Sequence, residues 1–244
     1  MKIGLLMPAR ERINLNLTLI SSIITTAKDI NNINLYMGID DDDPTREIQK
    51  KISDAIPFVK FIPIHNNGKF IGLGRIWNIL ANQCPDEIFG YLGNDMIFRT
   101  PNWDEIILNE FQTNCPEDKI QLIYCNDDHR PGDMCVNAFI HRRYMEVVGY
   151  FIREEFLINW SDRWLMQMFG AFNRLRYLSN VHIYHNHWVF GERKKDNTAE
   201  RMGAADQGGI SDKLWPSLAP ERVKEIEKLS KYLKLQPDWS KVEI

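Results

Sequence analysis

Short apolar runs alternate with amphipathic segments along the first hundred residues, and their two periods separate strands from helices. Lys2 to Met7 is an apolar run ended by Pro8, which predicts a buried first strand. Asn14 to Lys28 then places Leu15, Leu19, Ile20, Ile23 and Ile24 at helical spacing. Asn34 to Ile39 and Val59 to Ile64 predict two further strands, with a helix beginning near Thr45 between them. Arg75 to Gln83 predicts a helix that buries Ile76, Trp77, Ile79 and Leu80 and stops at Cys84-Pro85-Asp86. The next apolar run, Tyr91 to Phe98, breaks at Gly93-Asn94-Asp95. It predicts a buried strand that delivers one carboxylate to the carboxyl end of a sheet, the edge at which open α/β sheets bind ligands.

Beyond this point the pattern changes. Helices are predicted at Asn102 to Phe111, at Arg142 to Val148 before Gly149, and from about Arg163 to Phe172. Strands are predicted at Gln121 to Cys125, Cys135 to His141, Arg176 to Leu178 and Val181 to Tyr184, and Asn126 to Gly132 reads as a turn-rich loop. Gly191 to Ser211 is polar and glycine-rich and predicts a mobile loop able to fold over a ligand. Glu221 to Leu233 carries Val223, Ile226, Leu229 and Leu233 on one stripe of a last helix. Together these elements predict one α/β, Rossmann-like domain with a mostly parallel central sheet flanked by helices, followed by a C-terminal loop and amphipathic helix.

Composition narrows the classes of partner. The chain has 244 residues, long enough for one sizeable core, and its 33 acidic and 30 basic residues leave a net charge of -3. That balance argues against holding nucleic acid by bulk electrostatics and favours a small-molecule partner. The four cysteines form no C-x-x-C pair, as expected in a reducing compartment. The apolar start is too short for a signal peptide and no run reaches the length of a membrane span, so a soluble, cytoplasmic protein with no membrane partner is expected.

The candidate chemistry lies where predicted strands end. Pro8-Ala9-Arg10-Glu11-Arg12 combines fixed proline geometry with two guanidinium groups that can meet a base and a phosphate. Asp40-Asp41-Asp42-Asp43 is a run of four mutually repelling carboxylates that something must offset. Capping and solvation account for most of them, while Asp40, nearest the strand end, can accept hydrogen bonds from a nucleobase or ribose. Gly72-Leu73-Gly74 lacks the third glycine of a dinucleotide fingerprint, which excludes a nicotinamide enzyme. Asp95 beside Asn94 is either an Asx turn or a carboxylate that holds a divalent cation and, through it, a diphosphate. His185 and His187 stand two apart after the last strand, and both can approach Asp95.

Taken in order, Pro8 to Arg12, Asp40 to Pro44, Gly74 with Asn78, Gly93-Asn94-Asp95 followed by Phe98-Arg99-Thr100-Pro101-Asn102-Trp103, and His185-Asn186-His187 resemble the nucleotide-sugar glycosyltransferases of the GT-A fold. The small stand-alone enzymes often met in phage genomes, similar to glycosyltransferase family 2, are the nearest look-alikes. The resemblance spans roughly residues 1 to 190. It implies a nucleotide-sugar-binding half at residues 1–100, an acceptor-binding half of the same domain at 101–190, and the loop and helix at 191–244. It further implies that Pro8, Ala9, Arg10, Arg12, Asp40, Asn78, Asn94 and Asp95 hold a nucleoside-diphosphate sugar. Mn²⁺ or Mg²⁺ would be held by Asp95 and His185, with His187 in reserve. Gly93 stands where the family's D-x-D motif has its first acid, which leaves ribose recognition to Asn94 or to Asp40 and its neighbours; the alternative is that metal binds only along with the donor diphosphate, which supplies the missing oxygen ligands.

The implied reaction is transfer of a sugar to an acceptor hydroxyl with inversion. An inverting enzyme needs a base on the acceptor side, and Asp162, in a segment resembling the acidic acceptor-side motif of such enzymes, is the candidate; a helix cap is its alternative role. The acceptor is a glycan, a small molecule or a modified base in DNA. Trp160, Trp164 and Trp188 are candidates to stack on a sugar, and Arg142, Arg143, Arg153, Arg163, Arg174 and Arg176 concentrate positive charge in the same half. Two other classes remain open: a catalytically idle sugar-nucleotide-binding protein, because Gly93 replaces an acid, and a metal nuclease, which would cut DNA.

Overall fold

The computed structural model describes residues 1–130, 132–191 and 193–244. Pro131, in the predicted Asn126 to Gly132 loop, and Glu192, in the predicted loop after Gly191, lie outside the described residues. Strands β1 (Ile3–Ala9), β2 (Ile33–Asp40), β3 (Val59–Ile64) and β4 (Ile88–Tyr91) run parallel, connected by helices α1 (Ile13–Thr26), α2 (Arg46–Ala55) and α3 (Leu73–Gln83). β1 carries no polar side chain and is buried along nearly all its length, as a central parallel strand covered on both faces must be. One apolar layer, including Leu6, Tyr36, Trp77, Leu80 and Phe89, lies under α3. The other lies under α1 and includes Leu5, Ile20, Ile23, Leu35 and Trp103.

Strands β5 (Met96–Phe98), β6 (Leu122–Asn126), β7 (Ala138–His141) and β8 (Leu175–His185) complete one sheet of eight strands in the order β3-β2-β1-β4-β7-β6-β8-β5. β7 is antiparallel to both its neighbours, β6 and β8 are parallel, and β5 is antiparallel to β8. Two predicted elements differ here. The run Tyr91 to Phe98 is two strands, because the chain turns at Leu92 to Asp95 and leaves the parallel sheet for β8. The two predicted last strands are one strand whose pairing with β6 shifts register between Cys125 and Asn126.

Helices α4 (Trp103–Asn109), α5 (Arg143–Val148), α6 (Ser161–Gly170), α7 (Asn197–Ala205), α8 (Ile210–Ser217) and α9 (Ala219–Leu233) cover the second half. The segment expected to be a loop from Gly191 to Ser211 therefore carries α7 and the start of α8. Asp196 caps α7 by accepting from the Ala199 amide at 2.9 Å, and Gly208 and Gly209 take positive φ to turn the chain into α8. Its polar composition misled the pattern because α7 buries only Thr198 and Ala199. No helix among the described residues is long and apolar enough to cross a membrane.

The link between α3 and the entry to α6 positions the second half of the site. Asn78 donates to the Ile152 carbonyl at 2.7 Å and accepts from the Phe151 and Ile152 amides at 2.8 and 3.0 Å. One turn earlier, Gly74 lets the backbone of Arg153 lie against α3: a Cβ there would stand 2.2 Å from the Arg153 carbonyl oxygen. Backbone cannot yield as a flexible side chain can. Gly74→Ala is therefore expected to cost about 2 kcal/mol, read as a lower urea midpoint.

Candidate functional site

The carboxyl ends of β1, β2 and β4, the start of α6, the turn after β8 and helix α7 enclose a cavity of about 610 Å³. Pro8, Ala9, Arg10, Arg12, Asp40, Asn94, Asp95, Asp162, His185 and His187 all line it, which brings together every residue expected to serve the donor, the metal or the proton transfer except one. The exception is Asn78. Its amide bonds to the backbone of Phe151 and Ile152 and to Glu154, which clasps that segment to α3, and Asn78 does not line the cavity.

The register of β5 on β8 creates the centre of the site. Met96 lies opposite His185, and the Asn186 amide donates to the Asp95 carbonyl at 2.8 Å, so Asp95 stands beside the histidines although ninety residues separate them. The His187 amide then donates to the His185 carbonyl at 2.7 Å, a tight turn that keeps both rings on the Asp95 side, 4.8 Å apart between centroids. One ligand atom each from Asp95, His185 and His187 lies within 4.8 Å of the others. Burial alone would raise the Asp95 pKa, but His185, Arg12 and His187 outweigh it and hold the carboxyl below its usual range. Burial pushes His187 down to about 4, which leaves a neutral ring, the form that ligates metal.

Two observations test whether a cation suits this site. Nδ1 of His185 is buried without a hydrogen-bond partner, while its Nε2 lies 3.5 Å from Asp95 Oδ1. Nδ1 of His187 accepts from the Val189 amide at 3.3 Å, which assigns the proton of its neutral ring to Nε2. His185 thus keeps an unpartnered ring nitrogen, whereas Nδ1 of His187 is engaged. A set of one carboxylate and two imidazoles suits Mn²⁺ better than the harder Mg²⁺, which prefers oxygen.

Two of the four adjacent aspartates, Asp40 and Asp42, are offset by cations from two directions. Arg10 reaches Asp40 at 3.2 Å and Asp42 at 2.6 Å, and Arg201 of α7 reaches the same pair at 3.4 and 3.3 Å. Burial still raises the pKa of Asp40, with both guanidiniums opposing it. Asp43 is structural: it accepts from the Glu11 and Thr45 amides and from Gln49. Arg12, left-handed at φ 41°, binds Asp196 twice at 2.8 Å and Asn94 at 3.0 Å. Asn94 in turn donates to the buried Asn16 of α1 at 3.1 Å, which fixes the turn before Asp95.

Asp162 is half-buried at the second position of α6, whose cap is Trp160 in the left-handed region, so Asp162 is not the capping residue itself. One carboxylate oxygen accepts from the Arg163 amide at 2.8 Å. Burial raises its pKa against the pull of that amide, Arg130 and His185. Sequence reasoning did not assign Arg193, Lys195, Asp196 or Arg201 to the site. Arg193-Lys194-Lys195 is visible as a basic cluster, but only the fold brings Arg193 to Asp95, in the turn between β4 and β5.

Trp164 is core, and Trp160 stacks on Trp215 at 4.8 Å; Trp188 alone of the three candidate rings lines the cavity. The six arginines singled out in the acceptor half are each paired with a carboxylate: Arg142 and Arg143 with Glu146, Arg153 with Glu155 and Glu225, Arg163 with Glu243, Arg174 with Asp118 and Arg176 with Glu110.

The architecture is that of a GT-A-like α/β domain, and its structural likeness to nucleotide-sugar glycosyltransferases extends over most of the chain. S. aureus TarS in complex with UDP-GlcNAc matches 96% of this chain and 72% of its own at 12% identity, with a TM-score of 0.64. The mannosyltransferase PcManGT of Pyrobaculum calidifontis, solved with GDP-Man and Mn²⁺, matches 96% of this chain and 74% of its own at 10% identity, with a TM-score of 0.59. TarS with UDP matches 75% of this chain, which spans 60% of that one, at 12% identity and a TM-score of 0.60. No family model and no curated protein matches the sequence.

Proposed function

We propose that this protein is an inverting, metal-assisted glycosyltransferase that binds a nucleoside-diphosphate sugar in the cavity and transfers the sugar to an acceptor hydroxyl. The observation that carries this reading is the convergence of Asp95, His185 and His187 in a 610 Å³ cavity that also holds Asp162. Pro8, Ala9 and Asp40 form the wall for the base and ribose, and Arg12 and Lys195 face the space available to a diphosphate. A cation held by Asp95 and His185 would neutralise charge gathering on the departing phosphate. Asp162 takes the proton of the acceptor hydroxyl as its oxygen attacks the anomeric carbon. The bond from that carbon to the phosphate oxygen breaks, and the nucleoside diphosphate leaves with the electron pair.

Because the six candidate arginines of the acceptor half are each ion-paired, a glycan or small-molecule acceptor is preferred to DNA carrying a modified base. Added salt should then leave the rate nearly unchanged. The idle-binder reading draws on Gly93 and on Arg193, which lies 3.2 Å from Asp95. A panel of nucleotide sugars with Mn²⁺ decides between the two: slow release of nucleoside diphosphate supports transfer. Tight donor binding without turnover on any donor or acceptor would establish an idle binder.

A further inference from the structure

Asp95 is engaged by a cation of the chain itself. Arg193 places Nη2 at 3.2 Å from Asp95 Oδ2, and its Nη1 and Nε bind Asp196 at 2.7 Å and the Asn186 carbonyl at 3.0 Å. Asp196 also takes the fork of Arg12, so Arg12, Asp196, Arg193 and Asp95 form a chain of alternating charge across the site. Asp95 is the one carboxylate of the three candidate ligands, and Gly93, two residues before it, offers no second one. A divalent cation entering here would find Asp95 already paired with Arg193, and Asp196 already paired with Arg12 and Arg193. A diphosphate brings both the missing negative charge and an alternative acceptor for Arg193.

We infer that Arg193 is the resident cation of the Asp95 site, holding the carboxylate until a diphosphate arrives and then turning to bind that diphosphate beside the incoming metal ion. This rests on the glycosyltransferase reading and gives Arg193 the part of making the ion depend on the diphosphate: the ion binds weakly alone and strongly with the nucleotide. Linkage requires the coupling to be mutual, so the nucleotide gains from the ion by the same factor.

The test is a titration of the whole protein with MnCl₂, following free Mn²⁺ by electron paramagnetic resonance, then calorimetry with UDP and with GDP at saturating Mn²⁺. R193Q is expected to bind Mn²⁺ alone roughly tenfold more tightly than wild type and the nucleotide roughly tenfold more weakly. R193K, which keeps the charge, is expected to retain the weak wild-type affinity for the ion alone. A merely structural Arg193 would weaken both ligands in R193Q, and that result, or unchanged Mn²⁺ affinity, overturns the inference. D95N separates the levels: if it abolishes Mn²⁺ binding while R193Q matches wild type, the metal site stands and Arg193 has no part in it. If neither Mn²⁺ nor nucleotide binds wild type or any variant, the inference falls together with the functional reading.

Discussion

Asp95→Asn should lower sugar transfer on the order of a thousandfold while leaving the protein folded, because it removes the only charged ligand from the proposed cation site. Asn has nearly the same shape, and its amide oxygen can still accept from Arg193, which now lies 3.2 Å away. Loss of activity therefore reads chemistry rather than unfolding, and circular dichroism with a melting curve checks the fold. Chelation of wild type with EDTA should cause a comparable loss, with Mn²⁺ restoring more activity than Mg²⁺. His185→Ala should follow Asp95→Asn, and His187→Ala should cost less, since the Val189 amide occupies its Nδ1. Full activity in His185→Ala with loss in His187→Ala would reverse the two imidazoles. An Asp95→Asn protein as active as wild type would remove the cation from the mechanism.

Asp162→Asn should cost on the order of a hundredfold or more in rate with donor binding intact, because the attacking hydroxyl would no longer have an acceptor for its proton. The substitution is conservative where it matters structurally. Trp160, not Asp162, is the cap of α6, and Asn can still accept from the Arg163 amide, so stability should change little. The pH profile gives an independent reading. Burial raises the Asp162 pKa, so its charged, proton-accepting form is lost as pH falls through a value above the ordinary aspartate range near 4. Wild type should show an acid limb at that raised value, and the residual activity of Asp162→Asn should lack it. Near wild-type turnover in the variant would move the base to Glu154, Glu155 or Asp127, or point to retention of configuration.

Local pattern determined the elements themselves. β3 spans the predicted Val59 to Ile64 run, and α5 begins one residue inside the predicted Arg142 to Val148 helix and ends with it, before Gly149 at φ 106°. An apolar run bounded by turn residues, or a stripe at helical spacing, is a property of neighbours along the chain and survives without knowledge of the fold. The chemistry at strand ends was legible for the same reason: Asp40, Asp95 and His185 each sit where an apolar run stops. What the chain alone did not determine is what those groups meet. The pairing of β5 with β8 joins Asp95 to His185. The packing of α7 over the sheet edge brings Arg201 to Asp40, and Arg193, just ahead of that helix, to Asp95. Asn78 shows the converse, a residue whose resemblance suggested a ligand contact but whose amide is spent on backbone brought to it by the turn after α5. Such contacts depend on sheet order and register, which arise when distant apolar faces are buried together. The helices from Asn197 to Ser217 form because docking on the rest of the chain buries Thr198, Ala199, Ser211 and Trp215, a gain that a polar, glycine-rich stretch does not reveal by itself.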